Sequence, residues 1–126
     1  MHVLRQIHRA LRPDGLVLDI YPMGTDFAVR AGERGLGFVD TRDFARVLTA
    51  MNERVDLLVE EGLYQEVRTL RRHVTERFDT AAEALAEAGS WEHLRLPPIV
   101  RWRLRRRGAA PVEFIDTIRY RLFRRR

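Results

Sequence analysis

An amphipathic helix that leads through a tight turn into a strand opens this chain, and that order constrains the fold more than any other feature. Apolar residues recur at helical spacing over residues 3–11, and Pro13 ends the helix. The Asp14-Gly15 turn leads into a nearly continuous apolar run from Leu16 to Tyr21. Such a run predicts a central strand buried on both faces. A helix followed by a strand is the second half of a βαβ unit, so we expect an unpaired edge here and a partner strand encoded upstream.

Length and composition predict one soluble domain over residues 1–126. Hydrophobic residues make up 45% of the 126 positions, which is typical of a folding sequence. The chain has no cysteine, which excludes disulfides, thiolate metal ligands and cysteine nucleophiles. The 4 histidines do not pair at helical spacing, so no metal site is predicted. No apolar run reaches the ~18 residues of a membrane span, and we expect a cytoplasmic protein.

The remaining pattern predicts helices around a sheet. Two short segments around Gly32 to Gly35 indicate a small hairpin, and residues 63–78 indicate a long, half-exposed strand. Helices are expected over 44–58, 80–89 and 98–108, with Thr41 or Asp40 capping the first of them. The last segment alternates from Val112 to Leu122, with arginines on its polar face. We therefore expect an α/β fold.

Residues 3–19 carry a family resemblance. They read Val-Leu-Arg-Gln-Ile-His-Arg-Ala-Leu-Arg-Pro-Asp-Gly-Leu-Val-Leu-Asp. This stretch is similar to the late helix, the Leu-Arg-Pro-Gly-Gly turn and the fifth strand of class I S-adenosylmethionine-dependent methyltransferases, with Asp14 in place of the first glycine. Residues 77–83 resemble a strand leading into a short helix before the terminal hairpin, and residues 112–123 resemble the antiparallel last strand. The resemblance implies a partial Rossmann-like sheet of about three main strands, the last antiparallel, with flanking helices and a small hairpin.

The resemblance also implies a reaction, the transfer of a methyl group from S-adenosylmethionine to an acceptor. Catalysis of this kind rests largely on positioning, and no catalytic residue is assigned. The family holds its cofactor on a Gly-rich loop after the first strand and on an acid after the second. Neither feature precedes residue 3, and Gly35-Leu36-Gly37 belongs to the predicted hairpin. We expect this carboxyl-terminal half to bind no cofactor and to be inactive alone.

Three residues are candidates for a substrate pocket. Tyr21, Asp26 and Phe27 follow the carboxyl end of the predicted central strand, which is where ligands bind in open α/β sheets. The alternative is a connector whose aromatic side chains cover the core. Asp116, the one acid on the apolar face of the last strand, is expected to pair with an arginine.

The basic residues are all arginine and are concentrated in residues 95–126. This portion has 11 arginines and, as acids, only Glu113 and Asp116. A solvated basic face is the favoured interpretation, and nucleic-acid binding is the less favoured one. Three functions stay open: a methyltransferase half, an interaction module that dimerises through the edge from Leu16 to Tyr21, and an arginine-rich nucleic-acid binder.

Overall fold

A computed structural model describes residues 2–108 and 110–126. The helices are α1 (His2–Ala10), α2 (Arg42–Glu60), α3 (Ala81–Gly89) and α4 (Pro98–Arg105). The strands are β1 (Leu16–Pro22), β2 (Ala28–Ala31), β3 (Arg34–Phe38), β4 (Tyr64–Phe78) and β5 (Val112–Arg125). None of the described helices is both long enough and apolar enough to cross a membrane.

The five strands form one sheet around β5, and every pairing in it is antiparallel. β4 runs beside the whole of β5 on one side. On the other side β2 pairs with the first part of β5 and β1 with the second part, while β3 extends the sheet beyond β2. Since β1 and β4 are both antiparallel to β5, they are parallel to each other. The chain therefore has a mixed α/β fold with an antiparallel five-stranded sheet.

The prediction for β1 is wrong in two respects. In the described part of the chain β1 pairs with β5 alone, so it is an edge strand and not a central one. Leu16, Leu18 and Ile20 are each 54% exposed, so only one face of β1 is buried. The apolar run predicts burial on both faces of the strand. Instead, α1 and α2 cover the face that bears Val17 and Tyr21, and no described element covers the other face.

Two hydrophobic cores lie on opposite faces of the sheet. The first unites β2, β3, α3, α4 and the start of β5, and its centre includes Val29, Leu104 and Val112. The second lies under α1 and α2 near the end of β5 and includes Leu58 and Phe123. Because successive side chains of a strand point to opposite faces, the even-numbered start and the odd-numbered end of β5 serve different cores.

The turn before β1, from Arg12 to Gly15, explains the residue types at its last two positions. Asp14 has a φ of 60°, in the left-handed region that asparagine and aspartate tolerate better than most residues. The Gly15 amide donates to the Arg12 carbonyl oxygen at 2.9 Å. A Cβ at Gly15 would lie 2.8 Å from that same oxygen, so this position requires glycine.

Several other sequence predictions are confirmed. The long strand occupies Tyr64–Phe78, the hairpin turns at Gly32 and Glu33, and α2 ends just before Gly62, whose φ is 81°. Thr80 caps α3 by accepting from the Glu83 amide. At the start of α2 the two predicted capping residues make different hydrogen bonds. The Asp40 carboxylate accepts from the Arg42 amide, while the Thr41 hydroxyl donates to the Gly24 carbonyl.

Adjacent leucines of α2 test the second core. Leu58 is 1% exposed and Leu57 is 51% exposed. We expect Leu58→Ala to lower the free energy of unfolding by about 2–5 kcal/mol, since it removes buried methyl groups and leaves a cavity. Leu57→Ala is the matched control and should change stability by about 0.5 kcal/mol or less. Urea unfolding of both variants measures the difference, and equal losses would contradict the assigned helix orientation.

Candidate functional site

The candidate site is a cleft of about 410 Å³ between α1 and α2, over β1. Its lining is mostly apolar with a few polar groups: Val3, Leu4, Asp19, Tyr21, Leu48, Met51, Asn52 and Val55. Tyr21 stands near the carboxyl end of β1, and Val3 and Leu4 of α1 also line the cleft. Apolar walls with a few convergent polar groups are the usual composition of a small-molecule site.

The floor of the cleft is polar because β1 and β5 are in register there. Asp19 lies opposite Arg121, and Tyr21 lies opposite Arg119. Paired residues of antiparallel strands project to the same face, so all these side chains point towards α2. The sequence pattern places Arg119 and Arg121 on the polar face of the last strand, yet Arg121 is only 6% exposed.

Arg121 is held by two carboxylates. Its Nη2 atom lies 2.8 Å from Asp56 of α2 and 2.8 Å from Glu66 of β4, and its Nε donates to Glu66 at 3.1 Å. These hydrogen bonds lower the pKa of Glu66 and raise that of Arg121. The arrangement satisfies a buried guanidinium, as a buried charge requires, and ties α2 and β4 to the last strand.

Arg119 and Tyr21, which lie opposite each other in β5 and β1, each have a polar atom without a hydrogen-bond partner among the described residues. The Arg119 guanidinium lies 4.7 Å from the centre of the Tyr21 ring, and its Nη2 donates to Asn52 at 3.0 Å. The buried Tyr21 hydroxyl and the buried Arg119 Nε have no hydrogen-bond partner among the described residues. Buried polar atoms are rarely left unpaired, so these two atoms are candidates to contact a ligand or a water molecule.

Burial raises the pKa of the Asp19 carboxyl, although Arg121 and Arg119 pull it in the opposite direction. The folded protein therefore favours the neutral carboxyl more than an exposed aspartate would. A carboxyl, a phenol and an amide at one floor can orient the polar end of a largely apolar ligand by hydrogen bonds. Within the described residues, no group of three or more acids and histidines is placed to hold a metal ion.

The three residues named as pocket candidates do not meet in one place. Tyr21 lines the cleft described above. Asp26 is exposed in a loop with a φ of 53°. Phe27 is buried in the first core, with its ring centre 5.5 Å from that of Trp91. The pocket role stays a prediction for Tyr21, whereas the geometry of Phe27 is that of a core aromatic.

The sequence did not indicate Asn52, which lines the cleft, or Arg119, which contacts Tyr21 and Asn52. Asn52 belongs to no recognisable motif. Arg119 is part of a regular alternation of polar and apolar residues that is typical of a surface strand. The available signal was Asp19, a lone acid inside an apolar strand. Asp116 differs from its prediction as well: in the part of the chain described it forms no ion pair, and its carboxylate accepts from the Thr117 amide at 2.8 Å.

No family model, no curated protein and no solved structure matches this chain. The assignment of a function therefore rests on the geometry of this molecule.

Asp19→Asn tests the electrostatics of the cleft floor. Because the pKa of Asp19 is raised in the folded state, its ionised form lowers stability at pH 7, and this penalty vanishes below the ordinary value of 3.8. We expect Asp19→Asn to raise the melting temperature at pH 7 and to lose that advantage near pH 3. Asp26→Asn, at an exposed position outside the cleft, is the control. A variant less stable than the parent at pH 7 would contradict this description of Asp19.

Proposed function

We propose that this chain is the acceptor-side half of a class I S-adenosylmethionine-dependent methyltransferase, built on part of a Rossmann-like sheet. The strand arrangement is the observation that carries the proposal. The last strand lies antiparallel between two strands that are parallel to each other, and the first of those follows the helix and turn of residues 3–19. The connection from β1 to β4 runs through the β2–β3 hairpin and then α2, so a helix precedes the second of the two parallel strands.

One face of the sheet supports the proposal, because apolar side chains lie open on it. We call it the bare face. It consists of the exposed Leu16, Leu18 and Ile20 of β1 and the half-buried Leu70 of β4 and Ile118, Tyr120 and Leu122 of β5. The register places Leu18 beside Leu122 and Ile20 beside Tyr120, so the patch is continuous across strands. Contiguous apolar patches of this kind mark surfaces that another structural unit covers.

The two long edges of the sheet differ in a way that favours a partner at β1. β4 is an edge strand with arginines along it, among them Arg68, Arg71 and Arg72. Charges of this kind protect an exposed edge from pairing. β1 carries a single acid among apolar residues and has no such protection. A further strand can therefore add to β1 and not to β4.

The occupant we propose is the cofactor-binding half of the fold, encoded upstream or as a separate chain. Its outer strand would pair with β1, and its helices would cover the bare face. Gly37, the last residue of Gly35-Leu36-Gly37, has a packing role. A Cβ at Gly37 would lie 2.8 Å from Val100 Cγ2, so this glycine serves the contact between β3 and α4. The cleft at the carboxyl end of β1 is the position proposed for the methyl acceptor.

A second candidate function follows from the same surface. Two copies of the chain can pair along β1 and bury the bare face against each other, which makes the protein a dimerising module without enzymatic activity. The unprotected edge of β1 favours this as well. Sedimentation velocity separates the two functions, since a monomeric chain at micromolar concentration rules out the dimer.

Calorimetric titration with S-adenosylmethionine tests the methyltransferase proposal. We expect no binding to the 126-residue chain and one-to-one binding to a protein that joins it to the coding segment immediately upstream in the same reading frame. Stoichiometric binding by the 126-residue chain, or none by the joined protein, would overturn the proposal.

Substitutions at exposed leucines sharpen this test. Leu18→Arg places a charge on the bare face, and Leu57→Arg places one on the outer side of α2. Both leucines are more than half exposed in this chain. Neither change should unfold the isolated chain. In the joined protein, Leu18→Arg should abolish cofactor binding or folding, while Leu57→Arg should leave both intact. Equal effects of the two variants would contradict the assigned docking face.

A further inference from the structure

A second cleft, of about 600 Å³, lies between β3 and α4 and is strongly basic. It is lined by Arg34, Gly35, Leu36, Trp102, Arg103, Arg106 and Arg107. We propose that this cleft binds single-stranded nucleic acid, with phosphates on the arginines and a base on Trp102. The inference stands apart from the methyltransferase proposal and does not depend on it.

The fold gathers these arginines from two distant parts of the sequence. Arg103 and Arg107 are four residues apart at the end of α4, and so are Trp102 and Arg106, which places the four side chains on one side of the helix end. Arg34 comes from the start of β3 on the opposite wall. The Arg103 Nη1 donates to the Leu36 carbonyl at 2.9 Å and so links the two walls.

The cleft is rigid at its base because β3 and α4 approach closely. At Gly37 a Cβ would lie 2.8 Å from a methyl carbon of Val100, so no larger residue fits between strand and helix. Val100 and Leu104 anchor the inner side of α4 in the first core. The outer side of the helix is therefore held in place for a ligand.

The charge of the cleft is not neutralised within the protein. The lining contains no carboxylate, and within the described residues Arg34, Arg106 and Arg107 form no ion pair. By contrast, Arg5, Arg42, Arg46 and Arg121 each have an acid partner. Clustered arginines without acids attract phosphates, and their planar donor groups match phosphate oxygens.

Trp102 distinguishes a nucleic-acid strand from a simple anion. It is 54% exposed, which is unusual for tryptophan, and the Arg106 guanidinium lies 4.7 Å from the ring centre. An exposed aromatic ring beside phosphate-binding arginines is the arrangement on which unpaired bases stack. In a duplex the bases are already stacked on one another, so the platform favours a single strand.

Fluorescence anisotropy with labelled oligonucleotides tests the inference. The probes are a 12-nucleotide single strand of DNA, its RNA equivalent and the duplex of the same length, at low and moderate salt. We expect a single strand to bind more tightly than the duplex, with affinity that falls steeply as salt rises. Inorganic tripolyphosphate and poly-glutamate are the competitors. Displacement of the oligonucleotide by either competitor, at concentrations equal in charge, would overturn the proposal in favour of a site for simple anions or for an acidic protein. The proposal would also be overturned if none of the oligonucleotides bound.

Two variants assign the binding to this cleft. Trp102→Ala should weaken single-strand binding about tenfold or more through the lost stacking. The double variant Arg34→Gln with Arg106→Gln should weaken it further and reduce the slope of affinity against salt, since each lost phosphate contact removes about 0.7 from that slope for single strands. Arg54→Gln, an exposed arginine on α2, is the control and should alter the slope less. Circular dichroism confirms that each variant is folded. Equal effects of the cleft and control variants would place the binding elsewhere and overturn the proposal.

Discussion

The rest of the structure depends on one strand. β5 is the only strand of the described chain that pairs with three others, since β1 and β2 share one side of it and β4 takes the whole of the other. Each core uses one face of β5 at one end, with Phe114 in the first and Phe123 in the second. The last segment of the chain must therefore be in place before either core is complete. Pairings this distant in sequence make folding slow relative to a fold of local contacts.

The two faces of the sheet are covered to different extents, and our proposals rest on this difference. Under α1 and α2 the face includes an ionic floor, where Arg121 bridges Asp56 and Glu66. On the other face the apolar side chains of β1 have no cover within the described residues. Arg121 is buried on the face that α1 and α2 cover, whereas Leu16, Leu18 and Ile20 are exposed on the opposite face. We propose that another layer of structure covers these exposed side chains.

The sequence predicted the elements well and their environments less well. The long strand Tyr64–Phe78, the small hairpin and the antiparallel last strand were all predicted from periodicity and turn residues. The burial of β1 was not, because an apolar run does not show which elements of the chain lie over each face of the strand. Arg121 was predicted exposed because alternation alone cannot show that Glu66 and Asp56 stand opposite it. Likewise, the spacing of Trp102 and Arg106 on a helix does not reveal that Arg34 faces them.

The central claim is that β1 is completed by a strand outside this chain. Amide hydrogen exchange along β1 tests it most directly, because the amides that point towards β5 are bonded in the sheet while the alternate ones face the free edge. In the isolated monomer we expect alternating protection over the amides of Leu16 to Tyr21, and in the protein joined to its upstream half we expect uniform protection. Protection of all β1 amides in the isolated monomer, or alternation that persists in the joined protein, would contradict the account.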